Sequence, residues 1–95
     1  MDFSIPHNHP ALSGHFPGNP VVPGVLILEA VLVAASQQTE NRILGVVQTK
    51  FLSVLLPDER CLITLTHSIH GLRFSCAVNN RTVATGLLTL DNDQP

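Results

Sequence analysis

The sequence predicts an α+β fold in which one antiparallel β-sheet wraps around a single long central helix. Three observations carry that expectation. Residues 25–38 hold no helix breaker and are aliphatic on every face except at Glu29. The segments 42–56, 60–69, 72–79 and 82–90 are rich in Val, Leu, Ile, Thr and Phe. Between those segments stand "PDER", "HG" and "NNR", each a turn signal. A helix that is apolar all round is expected to be buried, and one sheet folded about it is the economical cover.

Taken in order, "FSIP" at residues 3–6 reads as a short first strand. Residues 6–24 follow, with five of the seven prolines, three of the six glycines and three histidines, as a long stiffened loop. An ordered loop of that length in a compact domain is usually functional. Pro23 and Gly24 mark the helix entrance, where a missing or unpaired N–H costs least. The later segments read as four antiparallel strands joined by short turns. Alternation is clearest in "CLITLTHSI", where Leu62, Thr64, Thr66 and Ser68 face away from Cys61, Ile63, Leu65 and His67.

Ninety-five residues make one domain, residues 1–95. A chain so short that is 44% hydrophobic, with a mean hydropathy of +0.27, is expected to associate through an apolar interface. The net charge of −2 and five scattered Lys and Arg form no phosphate-tracking stripe, which argues against nucleic acid. No Trp or Tyr is present to stack bases. The N-terminus "MDFSIPHNHP" is neither basic nor continuously apolar, so no signal peptide is expected. The apolar run interrupted by Glu29 is too short to insert in a membrane. Cys61 and Cys76 are too few and isolated for a disulfide framework or a zinc site. A cytoplasmic protein is expected.

The chemistry concentrates in "GHFPGNPVVPGVLILEAV", residues 14–31. The helical neighbours of Glu29 at three and four residues' distance are Val25, Leu26, Leu32 and Val33, all aliphatic. If the helix is enclosed, Glu29 faces either a pocket or an interface. An unpaired carboxylate there costs several kcal/mol or is relieved by retaining its proton, the form a general acid needs. A buried structural ion pair is the alternative. His15, in the rigid loop, is either a surface residue or, given a partner carboxylate, a competent base. The N–H of Gly24 is among the unpaired donors of the helix's first turn, and a residue without a side chain admits a carbonyl closely. Base, acid and carbonyl polariser together fit proton abstraction beside a carbonyl with loss of a leaving group two carbons away. "HNH" at residues 7–9 is weak as a metal motif, since no carboxylate or cysteine accompanies it, and no metal is expected. Arg42, Lys50, Arg60, Arg73 and Arg81 read as turn and surface charges, a few of which could gather at a pocket mouth to meet an acidic partner.

The stretch "GHFPGNPVVPGVLILEA" resembles the signature of the hotdog-fold (3R)-hydroxyacyl-acyl-carrier-protein dehydratases of fatty-acid synthesis. That family carries a His-Phe-Pro-Gly turn, a Pro-Gly at the helix entrance and an acid fourteen residues after the histidine. "KFLSVLLPDERCLITL" is similar, more loosely, to the family's Lys-Phe strand and the Pro-containing turn before the next strand. The resemblance implies that His15 and Glu29 are catalytic and that the Gly24 amide polarises a thioester carbonyl. It implies dehydration to a trans-2-enoyl thioester, with no metal or redox cofactor and the substrate on the phosphopantetheine arm of an acidic acyl carrier protein. It also implies a homodimer whose sites combine His15 of one subunit with Glu29 of the other.

Three positions depart from the family pattern. The chain is shorter than the housekeeping enzymes, Val33 stands where the family usually has glutamine, and Asp58 follows Pro57 where the family has glycine. The compact wording is closer to dehydratase-like proteins of aryl-polyene and related acyl-chain pathways. A non-catalytic hotdog subunit that binds acyl chains, and a hotdog thioesterase using Glu29, are the competing readings.

Overall fold

The structure, a computed structural model, describes residues 1–12 and 20–91. A short strand β1 (Asp2–Phe3) and a single 3-10 turn (Pro10–Leu12) precede α1 (Gly24–Gln38). Four strands follow: β2 (Ile43–Phe51), β3 (Cys61–Ser68), β4 (Gly71–Val78) and β5 (Arg81–Leu90). They form one antiparallel sheet in the order β1-β3-β4-β5-β2, with β1 and β2 at its edges.

Pro23, in extended backbone, caps the start of α1, and the Thr39 N–H closes its last turn on the Ala35 carbonyl at 3.1 Å. Ile27, Val31, Ala34 and Ala35, spaced at i, i+4, i+7 and i+8, form the side of α1 that is buried with the sheet. The sheet contributes Cys61, Ile63, Leu72, Phe74, Cys76, Val83, Ala84 and Leu88 to the same core. The alternation expected in β3 holds through Thr66, with Cys61 and Ile63 buried, Leu65 half-buried and Leu62, Thr64 and Thr66 exposed. It lapses at the strand end, where His67 is exposed and Ser68 half-buried.

The helix is not buried all round, as its composition suggests. Val25, Glu29 and Val33, at i, i+4 and i+8, form an exposed stripe, the two valines retaining 62% and 57% of their surface. The physical reason is geometric: a single five-stranded sheet covers one side of a helix, and nothing in the described chain covers the other. Leu44 and Val47 of β2 are equally exposed, at 57% and 56%.

"HG" and "NNR" do form the β3–β4 and β4–β5 hairpin turns. In the second, Asn79 takes a left-handed conformation (φ 54°), which asparagine tolerates better than most residues. "PDER" does something else. It ends a crossover, residues 52–60, that carries the chain from β2 at one sheet edge to β3 near the other. That crossover is pinned along its length. The Leu52 N–H bonds to the Val83 carbonyl (2.8 Å), the Leu55 carbonyl accepts from Val22 N–H (2.8 Å), and Asp58 N–H donates to Ile5 O (2.8 Å). Leu55 is buried, so the crossover also contributes to the core just ahead of the helix entrance.

Candidate active site

The entrance of α1 combines a proline cap with a glycine at the first helical position, an order set by sequence and needing no side-chain cap. Among the described residues no acceptor takes the Gly24 N–H, in keeping with its place in the first turn. The space beside Gly24 is occupied. A Cβ built at Gly24 would lie 2.7 Å from Cζ of Phe51, so the aromatic ring rests on the glycine itself. Phe51 ends β2 and is itself half exposed, so this packing joins the sheet edge to the helix entrance without closing it off. The Lys50-Phe51 pair is visible in the sequence, but its contact with Gly24 is tertiary and no local signal announces it.

Thr49 lies two residues before Phe51 and therefore on the same face of β2. Its hydroxyl is buried and has no hydrogen-bond partner among the described residues. The sequence does not single it out, because a threonine in a strand is ordinarily a β-former and nothing more.

Glu29 sits in the second turn of α1, on the exposed stripe between Val25 and Val33. The expectation of a buried carboxylate is therefore corrected for the single chain: Glu29 is solvent-exposed, because the sheet covers the opposite side of the helix. Glu29 has no ion-pair partner among the described residues, so the structure does not make it half of a buried salt bridge. Val33, in place of the family's glutamine, is one turn further on the same stripe and also exposed. His15 and the rest of the Gly-His-Phe-Pro-Gly loop lie outside the described residues.

The other histidines of the long loop are occupied structurally. His7 Nδ1 is 3.0 Å from Asp58 Oδ2, and the His7 backbone N–H donates to Asp58 Oδ1 at 3.2 Å. His9 Nδ1 accepts from the Ala11 N–H at 3.0 Å. The departure at Asp58 thereby finds an account. Asp58 is in the left-handed region (φ 69°), where glycine is the default residue. Aspartate is among the few side chains that bear this conformation, and here its carboxylate also ties the loop to the crossover.

The two cysteines are core residues. Burial pushes the Cys76 thiol up to about 12, and burial likewise raises Cys61. Three of the five Lys and Arg side chains are paired: Arg42 with Asp91 (3.3 Å), Arg60 with Asp2 (3.1 Å) and Arg81 with Glu59 (2.7 Å). The Arg81 guanidinium, through its hydrogen bond, and the Leu56 N–H hold the Glu59 carboxyl below its ordinary range. No described helix is long and apolar enough to cross a membrane.

A sheet of five antiparallel strands folded over one long helix, with a Pro-Gly entrance and an acid one turn inside, defines a hotdog domain of the dehydratase type. Comparison with known proteins agrees. The model of the ApeI-like family, described as ApeI dehydratase, matches residues 1–87, and the chain belongs to that family. A 3-hydroxyacyl-[acyl-carrier-protein] dehydratase FabZ of Lawsonia intracellularis is 31% identical, the match covering 86% of this chain and 65% of that protein. The enzyme of the same name from Ehrlichia chaffeensis is 27% identical over 93% of this chain and 66% of its own length. The chain thus spans slightly less than two thirds of these relatives. Among solved structures, a chain of the dehydratase heterocomplex ApeI:P from Xenorhabdus doucetiae superposes with a TM-score of 0.78. It is 22% identical, with 94% of this chain and 82% of that chain covered.

Proposed function

We propose that the chain dehydrates a (3R)-hydroxyacyl-acyl-carrier-protein thioester to the trans-2-enoyl thioester. The observation that carries this reading is the position of Glu29: a lone carboxylate on an apolar, uncovered helix stripe, one turn inside an entrance whose glycine N–H is available to a carbonyl. His15 takes the proton from the carbon next to the thioester carbonyl. The Gly24 N–H, at the positive end of the helix, stabilises the negative charge that the carbonyl oxygen gains. As the new carbon–carbon double bond forms, the bond to the β-hydroxyl breaks, and Glu29 gives its proton so that water leaves. Proton transfers alone complete the step, so it needs neither metal nor redox cofactor. The acyl group arrives on the phosphopantetheine arm of a carrier protein, and the reaction is proposed to run in the cytoplasm.

The site is completed by a second copy of the chain. β2 is an edge strand whose outer backbone groups have no strand partner. Leu44 and Val47 stand at its two register irregularities and expose apolar side chains along that edge, surface for a second strand to cover. Two β2 edges joined antiparallel would extend the sheet across both subunits and bring cover to the Val25–Glu29–Val33 stripe. Each site then combines His15 of one subunit with Glu29 of the other. This supports burial of Glu29 in the dimer, which the single chain does not provide.

A 3-hydroxybutyryl-carrier-protein thioester, followed by mass spectrometry, tests the reading. The wild-type chain is expected to release water, and His15→Ala and Glu29→Gln to abolish the loss. Unchanged substrate that is nevertheless bound would make the chain a non-catalytic subunit, with Val33 the first position to restore to glutamine. Release of the free acid would make it a thioesterase.

A further inference from the structure

The side of the sheet that faces away from α1 carries a second candidate site. Strand register aligns two adjacent rows across it. One row runs Thr64, Ser75, Thr85 and Lys50 over β3, β4, β5 and β2. The next runs Thr66, Arg73, Leu87 and Gln48. Seven of these eight side chains are polar, two are cationic and none is acidic. All eight, together with Phe74 and Gly86, line a single groove of about 430 Å³.

The two cations are the notable members. Of the five Lys and Arg in the chain, Arg42, Arg60 and Arg81 each have a carboxylate partner. Lys50 and Arg73 have none among the described residues, and both line this groove. They stand on β2 and β4 with β5 between them, two strand spacings and two residues of register apart, about 12 Å between Cα atoms. Both side chains are long enough to converge over the Ser75 and Thr85 hydroxyls between them.

We infer that this groove binds a small phosphate monoester. Its lining is rich in donors and poor in charged acceptors: a guanidinium, an ammonium, four hydroxyls and an amide. A monoester dianion matches the two positive charges, where a single carboxylate would match one. Its three terminal oxygens suit an array of short hydroxyls backed by Arg and Lys. The threonine and serine hydroxyls lie low on the sheet, within reach of a compact ligand that enters the groove. A folded acidic partner would rest on the tips of Lys50 and Arg73. A second copy of the chain is disfavoured, because two such faces would set four cations together without an acid. Edge pairing through β2 leaves this side of the sheet open, so the site is independent of the dehydratase site.

Titration at about pH 8, where a monoester is dianionic (second pKa about 6), tests the inference by following backbone amides in two-dimensional NMR. Inorganic phosphate and glycerol phosphate are each expected to produce saturable shifts at Ser75 and Thr85. Sodium chloride at matched ionic strength is expected to produce none. Lys50→Gln and Arg73→Gln should each weaken binding about tenfold or more, the loss expected of a charged hydrogen-bond partner. Arg60→Gln should leave it unchanged. If Arg73→Gln fails to fold, Lys50→Gln on the edge strand and Arg73→Lys still report. Non-saturable shifts, or equal shifts with chloride, would overturn the site. Binding of phosphate without glycerol phosphate would overturn the ester assignment. Shifts with carrier protein and none with either phosphate would make the face a protein-docking surface instead.

Discussion

The two sides of α1 have similar composition and different surroundings. On one, Ile27, Val31, Ala34 and Ala35 pack with the sheet and are almost or completely without exposed surface. On the other, Val25 and Val33 flank Glu29 in solvent, and the β2 edge adds Leu44 and Val47. The first side shows what 95 residues suffice to bury by themselves. The second carries part of the hydrophobicity left over, and it surrounds Glu29, the residue proposed as the acid. Under the proposed function, Glu29 takes up its role once a partner covers this surface, so assembly and activity are proposed to be coupled.

The comparison can be broken most severely at the closed side. Leu72 is 1% exposed within the core, and Leu72→Ala is expected to destabilise the fold by about 2–5 kcal/mol in urea denaturation. Val25→Ser, on the open stripe, should change the stability of the isolated chain by no more than about 0.5 kcal/mol. Equal losses at both positions would erase the distinction between the two sides.

The open side is probed by charge. Val47→Lys puts a cation on each facing β2 edge, and like charges brought opposite each other destabilise a strand pair. Light scattering should show the mass of the assembly halved, with the circular dichroism of the single domain retained. Unaltered mass would mean that the β2 edge is not the interface.

Thiol chemistry sharpens the same contrast. With Cys76 pushed up to about 12 and Cys61 also raised by burial, neither is a thiolate at neutral pH. Alkylation by iodoacetamide at pH 8 should be negligible in the native protein and become complete in denaturant. Fast native labelling would show that the closed side opens.

A small effect belongs to the crossover. Glu59 has its carboxyl lowered by Arg81 and the Leu56 N–H, so its contribution is present above its ordinary value of 4.5. That contribution fades as pH falls through the lower folded value. Arg81→Gln should therefore cost up to about 1 kcal/mol near neutral pH, discounted because both partners are partly exposed. The difference from wild type should vanish on acidification below that range. A gap that persists in acid would assign the loss to the second bond of Arg81, to the Val54 carbonyl.

Much of this was legible in the residues. The unbroken aliphatic run, the Pro23-Gly24 entrance, the last three strand segments and the alternation in the first part of β3 are local features that appear where local rules put them. The segment 42–56, by contrast, is strand only to Phe51 and "FSIP" only at Phe3. The crossover was not legible. "PDER" has turn composition, but whether a turn joins neighbours or opposite edges depends on strand order, which is a property of the whole sheet. Nor could local pattern show how far round the helix the sheet reaches, and that extent decides the exposure of Glu29. The contact of Phe51 with Gly24 and the alignment of Lys50 with Arg73 arise from register across several strands. Asp58 is the intermediate case: the missing glycine was visible, and the His7 contact and left-handed backbone that accommodate the aspartate were not.

Complementation tests the central claim most directly. His15→Ala and Glu29→Gln are each expected to be inactive alone toward a 3-hydroxyacyl-carrier-protein thioester. After unfolding and refolding together in equal amounts, half of the dimers are mixed, and each mixed dimer holds one intact pair of residues out of two. Dehydration should return to about a quarter of the wild-type rate, as two-fold symmetry with shared sites requires. No recovery, with mixed dimers demonstrated by mass, would contradict a site shared between subunits.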